Sequence, residues 1–404
     1  MSRINPARLT VVRSLMEIER GGSAEELLLS SSNEKNLSDV DQRFAHFILF
    51  GILRERGRLD EVLNRNSKKE ISKQKIALRS ILRLGAYEMK FSRVPIHAVI
   101  DQAVRLTHKL GFRFASGFVN ALLRKTIQES ISPNHDLNVP PWILGVLKER
   151  SITKGYTESL SSPPDIYIVP KDGKPVEGLA TEGFPHFSFE KALFKVSKSG
   201  SPTDWQGFKA GDWWIMDPSS AMVIERLHKH IREQRADLEV LDACAAPGSK
   251  SLRLHQYGYK VTSADVSSKR LEKLQQNRER LQYTIPYFRK DWTVKHPPKK
   301  RYDVVLLDAP CSGLGVMRRH PEIRWKRKES DITANRIIQK KLIHNLCEWI
   351  KPGGLLVYSV CSFHPKEGGD FPEGMHRLEN WMTPPEWGVD VFQISILQKS
   401  HRSQ

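Results

Sequence analysis

The sequence predicts a multidomain protein: an all-α N-terminal domain followed by an α/β domain with a mostly parallel sheet. Three observations predict it. Residues 5–130 carry apolar residues at helical spacing throughout, and from residue 213 strand-like and helix-like segments alternate. Between them, "SPNHDLNVPP" (132–141) is rich in Pro, Asn and Asp and has little apolar content, the composition of a linker. At 404 residues the chain is too long for one ordinary domain.

The elements follow in order. Asn5 before Pro6 gives a cap and a first helical position, and Gly21-Gly22 closes that helix. Ser38 is the expected cap of the next, where Phe44, Phe47, Ile48 and Ile52 recur at helical spacing. "IALRSILRLGAYEMKF" (76–91) places Ile76, Leu78, Ile81, Leu82, Leu84 and Tyr87 on one broad face. "VPIHAVIDQAVRLTHKLGF" and "FASGFVNALLRKTI" supply two more helices. Residues 142–200 mix a short helix, Trp142 to Arg150, with strand-like pieces such as "DIYIVP". Then "LEVLDAC" leads into a helix through Tyr257, and "KVTSAD" into the helix "SSKRLEKLQQNRERL". "YDVVLLDAP" precedes a long helix around 331–350, and "GGLLVYSVC" follows it. In such sheets ligands bind beyond the carboxyl ends of the strands, where Asp242, Asp265, Asp308, Cys311 and Cys361 all fall.

Composition narrows the class. Hydrophobic content of 39% with 27% charged residues is ordinary for globular protein. No run of eighteen apolar residues occurs, and "MSRINPARLT" has no apolar leader segment, so no membrane association and a cytoplasmic location are expected. Cysteines at 244, 311, 347 and 361 show no CxxC and no zinc spacing, so neither a disulfide scaffold nor a metal is expected. The net charge of +18 is spread over both halves. That predicts a polyanionic partner, RNA or DNA, against the alternative of a merely basic enzyme.

The turn "LDACAAPGSKS" (241–251) contains a single glycine, Gly248. It lacks the G-x-G-x-x-G of a dinucleotide site and the first glycine of a P-loop. A tight turn without a phosphate cradle suits a cofactor with ribose and adenine but no phosphate, and S-adenosylmethionine is the obvious one. Asp265 at the end of the next strand can accept from a ribose diol, and Asp291 in "RKDWT" can meet an adenine amino group; each is also an ordinary loop or cap residue. Cys311 and Cys361 both follow strand-like runs and are flanked by Pro, Ser or Gly, which argues for exposed turns; Cys244 and Cys347 read as packing residues. A thiol is nucleophilic near neutral pH. Added to carbon 6 of a cytosine, a thiolate makes carbon 5 able to attack a methyl donor, and a second group must then help the thiol leave.

"DACAAPGSKS", "ADVSSKRL", "DAPCSGLGVMRRHPEIRW" and "YSVCSFHPKE", in this order, resemble the Sun/Fmu (RsmB) branch of the RNA cytosine-5 methyltransferases. "LRLGAYEM", "VPIHAVIDQAVRL" and "GFVNALLRK" resemble the NusB-like RNA-binding domain of that branch. The resemblance covers nearly the whole chain. It implies a NusB-like helical domain at 1–135, a linker and small mixed region at 136–212, and a Rossmann-like S-adenosylmethionine-dependent methyltransferase domain at 213–404. It implies Cys361 as nucleophile, Cys311 as the group that assists release, and Asp308 at the junction of cofactor and target base. It implies S-adenosylmethionine as cofactor, held by Cys244, Ala245, Ala246, Pro247, Gly248, Ser249, Lys250, Asp265, Asp291 and Asp308. The implied activity is methylation of carbon 5 of a cytosine in small-subunit (16S) ribosomal RNA by a monomer. Alternatives are the same chemistry on tRNA or another RNA, or a non-catalytic RNA-binding or antitermination-type factor.

The sequence departs from the family pattern in three places. Ser249 stands where the family turn usually has a second Gly. The segment after "HPKE" is short, with Gly and Pro where a helix would begin, so an abbreviated helix and a closing strand "VDVFQISIL" are expected. "DIYIVPKD" stands where the family often has Arg-Val-Asn. Finally, "RRHPEIRWKRK" (318–328) offers Arg318, Arg319, Arg324, Lys326, Arg327 and Lys328 around Trp325, the pattern of a surface that stacks an unpaired base, unless Trp325 lies in a core. His320 and His364 are assigned no role.

Overall fold

The computed structural model describes residues 4–24, 26–28, 37–152, 154–185, 192–198, 200–231 and 237–401. They form two compact units, Met1–Pro163 with Met317–Arg327, and Pro164–Val316 with Lys328–Gln404.

The first unit is helical: α1 (Pro6–Ile18), α2 (Asp39–Asn64), α3 (Ile76–Phe91), α4 (Ile96–Lys109), α5 (Ser116–Thr126), α6 (Pro141–Glu149) and α7 (Lys154–Ser159). The predicted caps form: Asn5 accepts from the Arg8 N–H with Pro6 behind it, and Ser38 accepts from the Asp41 N–H. The α3 stripe of Ile81, Leu82 and Leu84 is buried with Ile48, Leu49 and Ile52 of α2 and Leu122 and Leu123 of α5 in one core. The expected linker is not a free one. Asn138 is fully buried, and its Oδ1 accepts from the Gly57 and Arg58 N–H groups of α2 (3.1 Å each). The first unit therefore extends to Pro163 rather than ending near 135.

The second unit holds two sheets. An antiparallel one has the order β2-β3-β1-β4, from β1 (Ile166–Pro170), β2 (Thr181–Gly183), β3 (Phe194–Val196) and β4 (Trp213–Ile215). Residue 213 thus begins the last strand of the small sheet, not the first parallel unit. After helix α8 (Pro218–Ile231) the large sheet uses β5 (Glu239–Asp242), β6 (Lys260–Asp265), β7 (Tyr287–Arg289), β8 (Tyr302–Asp308), β9 (Ile350–Val360), β10 (Met375–Met382) and β11 (Gln393–Lys399). Its order is β10-β11-β9-β8-β5-β6-β7, parallel from β9 to β7, with β11 and β10 antiparallel at one edge. Helices α9 (Ser249–Gln256), α10 (Ser268–Arg280) and α12 (Glu329–Cys347) follow β5, β6 and β8; α11 is the short turn Ile323–Lys326.

"HPKE" itself forms a 3-10 turn, Pro365–Glu367; after it no α-helix forms among the described residues, and β10 and β11 pair as a hairpin with a 3-10 turn, Pro385–Trp387, between them. Strand order reverses between β5 and β8. That switch point opens a crevice beyond their carboxyl ends. Among the described residues no helix is long and apolar enough to cross a membrane.

Candidate functional site

Asp242, Asp265 and Asp308 end β5, β6 and β8, and Cys361 follows the last residue of β9. The turn after β5 enters α9 through Gly248 at φ +109°, a left-handed conformation that favours glycine, with the preceding Ala246–Pro247 bond cis. A Cβ on Gly248 would also come within 3.1 Å of Leu274. Ser249 is already the first residue of α9, so the departure from Gly is absorbed without strain.

Lys250 Nζ donates to Asp308 Oδ2 (2.7 Å), and Ser359 Oγ donates to Asp308 Oδ1 (2.9 Å). Burial pushes the Lys250 ammonium down, but Asp308, with Asp242 and Cys361 nearby, more than offsets this and raises it. Lys250 also lies 5.0 Å over the Phe392 ring. Asp242 is fully buried; Oδ2 accepts from Ser251 Oγ (2.6 Å) while Oδ1 has no partner among the described residues. Asp265 is buried too: Oδ1 accepts from Ser267 N (2.9 Å) and Arg270 Nη2 (2.8 Å), and Oδ2 accepts one long bond from Ala246 N (3.3 Å). Val266, next in the chain after Asp265, and Phe288, on the neighbouring strand β7 opposite Ala264, are exposed apolar side chains.

Asp291 lies in the loop after β7 and bonds to its near neighbour Thr293. It is exposed, and its Oδ1 accepts from Thr293 N (2.9 Å) and Oγ1 (2.7 Å). Its neighbour Trp292 is buried and donates from Nε1 to Ala243 O (2.8 Å), which pins this loop to the turn after β5.

The two thiols come together: Cys311 Sγ and Cys361 Sγ are 3.3 Å apart. Neither sits in the exposed turn expected from its neighbours; both are half-buried, against the apolar layers on the two sides of the sheet. The Cys311 thiol is held well above its ordinary range, first by its hydrogen bond with Cys361, then by burial, then by the charges of Cys361, Glu367 and Asp308. Burial pushes Cys244 up as well and lifts Cys347 to about 12, in keeping with packing roles.

The sequence reading missed the groups that hold this pair. Glu367, fully buried, accepts from Ser312 N (2.8 Å), Ser312 Oγ (2.5 Å) and Asn335 Nδ2 (3.4 Å), and Ser312 Oγ lies 3.1 Å from Ser362 Oγ. The signal was present: Cys-Ser occurs twice, at 311–312 and 361–362. No group of His, Cys, Asp or Glu able to hold a metal ion occurs among the described residues.

The basic segment 318–328 is only in part the open surface its composition suggested: Lys328 is exposed, while 318–327 belongs to the first unit with Arg318, Arg319 and Arg327 half-buried. Arg324 is fully buried and donates to the carbonyls of Asn138 (3.2 Å) and Leu160 (3.3 Å); burial pulls its guanidinium down to about 9. Trp325 joins the helical core, donates to Leu53 O (2.7 Å) and lies 4.8 Å below the Arg56 guanidinium. Lys326 donates to Gly22 O (2.7 Å). Backbone carbonyls at helix ends and loops claimed these cations. A different basic surface exists on the first unit: a cavity of about 280 Å³ lined by Lys68, Lys69, Gln74, Phe118 and Lys125. Close by in the chain, Phe114 is 78% exposed with Lys75 6.0 Å over its ring.

Comparison with known proteins agrees with both units. Residues 228–373 match the family model described as 16S rRNA methyltransferase RsmB/F, and residues 5–128 match the NusB family. The probable ribosomal RNA small subunit methyltransferase B of Synechocystis is 30% identical over 94% of this chain and 92% of its own length. Ribosomal RNA small subunit methyltransferase B of Proteus mirabilis is 29% identical over 91% and 92%. The crystal structure of PH0851 covers 99% of this chain and 100% of its own with a TM-score of 0.77 at 19% identity, which shows a shared fold. That of NSun6 from Pyrococcus horikoshii covers 65% of this chain and 99% of its own, with a TM-score of 0.55 at 17% identity.

Proposed function

Because the chain belongs to the ribosomal RNA small subunit methyltransferase B family, we propose that it methylates carbon 5 of a cytosine in 16S ribosomal RNA through a covalent adduct with Cys361. The observation that carries this reading is the thiol pair at 3.3 Å beside the Lys250–Asp308 ion pair.

The crevice fits S-adenosylmethionine: its turn has no phosphate cradle, Asp265 Oδ2 keeps capacity for a ribose hydroxyl, and Val266 and Phe288 offer apolar surface to an adenine. Cys244 to Lys250, Asp265, Asp291 and Asp308 would hold it. Bound there, it supplies an electrophilic methyl group.

The chain's own groups do the rest. Cys311 is held above its ordinary range, first by its hydrogen bond with Cys361, and the Lys250 ammonium lies within electrostatic reach of Cys361. These two features support Cys361, the nucleophile that the family resemblance implies, as the sulfur that attacks. Its electron pair forms the bond to carbon 6, and the ring's carbon 5–carbon 6 π pair moves to carbon 5, which would take the methyl group as the methyl–sulfur bond of the donor breaks with its pair left on that sulfur. Release needs the carbon 5 proton removed. Once the Cys361 sulfur is a neutral thioether, the largest cause holding Cys311 protonated is gone. Cys311 loses its proton to water and takes the one on carbon 5. The freed pair restores the ring double bond, and the carbon 6–sulfur bond breaks to return the Cys361 thiolate.

RNA contacts on the first unit are assigned to the Lys68, Lys69, Lys125 and Phe118 surface, which pairs phosphate-neutralising charge with an aromatic face. The test is a pair of variants on 16S ribosomal RNA. Cys361→Ala should fold and lose methylation. Cys311→Ala should transfer a methyl group and accumulate a protein–RNA adduct that survives denaturing electrophoresis. Methylation intact in both, with no adduct, would end the covalent reading.

A further inference from the structure

Besides the thiol pair, the loop carrying Cys311 is joined to the loop carrying Cys361 by one backbone bond, Gly315 N to Cys361 O (3.0 Å), and by bonds that run through Ser312: its hydroxyl to that of Ser362 (3.1 Å), and its N–H and O–H to Glu367. The backbone bond is fixed by the chain, and Glu367 orders the ones at Ser312. A carboxylate can only accept. With Ser312 N–H and O–H both committed to Glu367, the Ser312 oxygen is left as acceptor and Ser362 must donate to it. Ser362 Oγ in turn accepts from His364 N (3.1 Å), so every proton in the chain has one direction. Glu367 is itself fully buried, and its recorded donors among the described residues are all neutral. A buried carboxylate without a cation is costly, so a site that merely needed filling would be served better by a neutral side chain.

We propose that Glu367 is a positioning residue: through Ser312 and Ser362 it holds the two thiol loops at the separation that the release step requires. The proposal rests on the two-thiol reading above. Release is the step in question because Cys311 must reach the carbon 5 proton while Cys361 is fixed to carbon 6. Attack needs Cys361 alone. Loosening the Ser312 loop should therefore slow release and spare transfer.

The full-length protein, with transcribed 16S ribosomal RNA and radiolabelled S-adenosylmethionine, tests this in Ser312→Ala, Glu367→Ala, Glu367→Gln and Cys311→Ala. Ser312→Ala and Glu367→Ala should keep single-turnover methyl transfer within about threefold of wild type. Repeated turnover should fall about 100-fold, the scale of a 1 Å misplacement, and denaturation-resistant adduct should accumulate as in Cys311→Ala. Glu367→Gln keeps an acceptor for the Ser312 N–H and should lie between wild type and Glu367→Ala. Glutamine no better than alanine would assign the effect to charge and overturn the positioning role. Adduct from Cys311→Ala but none from Ser312→Ala, with normal turnover, overturns the proposal and leaves the two-thiol reading standing. No adduct from Cys311→Ala removes that reading and the proposal with it. If Glu367→Ala does not fold, Ser312→Ala, which loses one hydroxyl, decides alone.

Discussion

Asp242 illustrates how much of this site is set by single atoms. Burial pushes its pKa from 3.8 to about 7 against the Ser251 hydrogen bond, which lowers it, and its other oxygen has no partner among the described residues. The folded protein thus binds this proton more tightly than the unfolded chain. Its contribution to stability is full below about pH 4 and is lost as pH rises through about 7. Asp242→Asn, which imitates the protonated acid, should flatten the decline in melting temperature between pH 5 and 8; an unchanged slope would mean the acid is not protonated there. Of the residues in the candidate site, the two cysteines stood out from type and position, since strand-end thiols are chemically distinct, although the exposed turns expected for them are not formed. Glu367 was not, because a glutamate in "HPKE" reads as surface until the fold buries it.

At the scale of elements, the loop after β8 must pass closely over the end of β9. Gly315 makes this possible: a Cβ there would stand 1.8 Å from Val391 O and 3.1 Å from the Cys361 carbonyl carbon. Gly315→Ala should therefore cost about 1–3 kcal/mol of stability, the usual range for overpacking. It should also lower methylation more than cofactor affinity, because the displaced backbone carries Cys361. Chemical denaturation and calorimetry with S-adenosylmethionine would separate the two, and a variant as stable and active as wild type would show the loop to be pliable. The helices of the first unit, down to the Asn5 and Ser38 caps, and the alternation of strands and helices from β5 to β9 were legible, because periodicity and capping are local. The β10–β11 hairpin was only half legible. The β11 run is apolar and plainly a strand, but β10 is mostly polar and reads as a strand only beside β11.

At the scale of the molecule, the charge of +18 divides into cations with protein partners and cations without. Arg324 and Lys326 belong to the first group, bound to backbone carbonyls. For Lys68, Lys69 and Lys125 no ion pair is recorded among the described residues. Replacing these three by Gln should reduce the slope of log affinity for RNA against log salt by about 2, at about 0.7 per phosphate on single strands. Catalysis by the bound fraction should be unaffected. Filter binding from 50 to 200 mM salt measures it, and an unchanged slope would move the RNA surface elsewhere.

The sequence by itself determined the kind of fold and most of the order of elements, and it singled out the tight turn after β5 and the two strand-end thiols as candidates, because each is written in short-range pattern or in a residue's own chemistry. Tertiary structure decided what no window of sequence contains. It set which basic residues gain protein partners, since Arg324 is buried and the neighbouring Trp325 half-buried against residues that lie far away in the chain. It brought Cys311 to Cys361 across fifty residues by pairing β8 with β9 in register, Asp308 opposite Ser359. It also made a polar glutamate the buried anchor of both loops, because burial and hydrogen-bond partners are properties of packing and not of spacing.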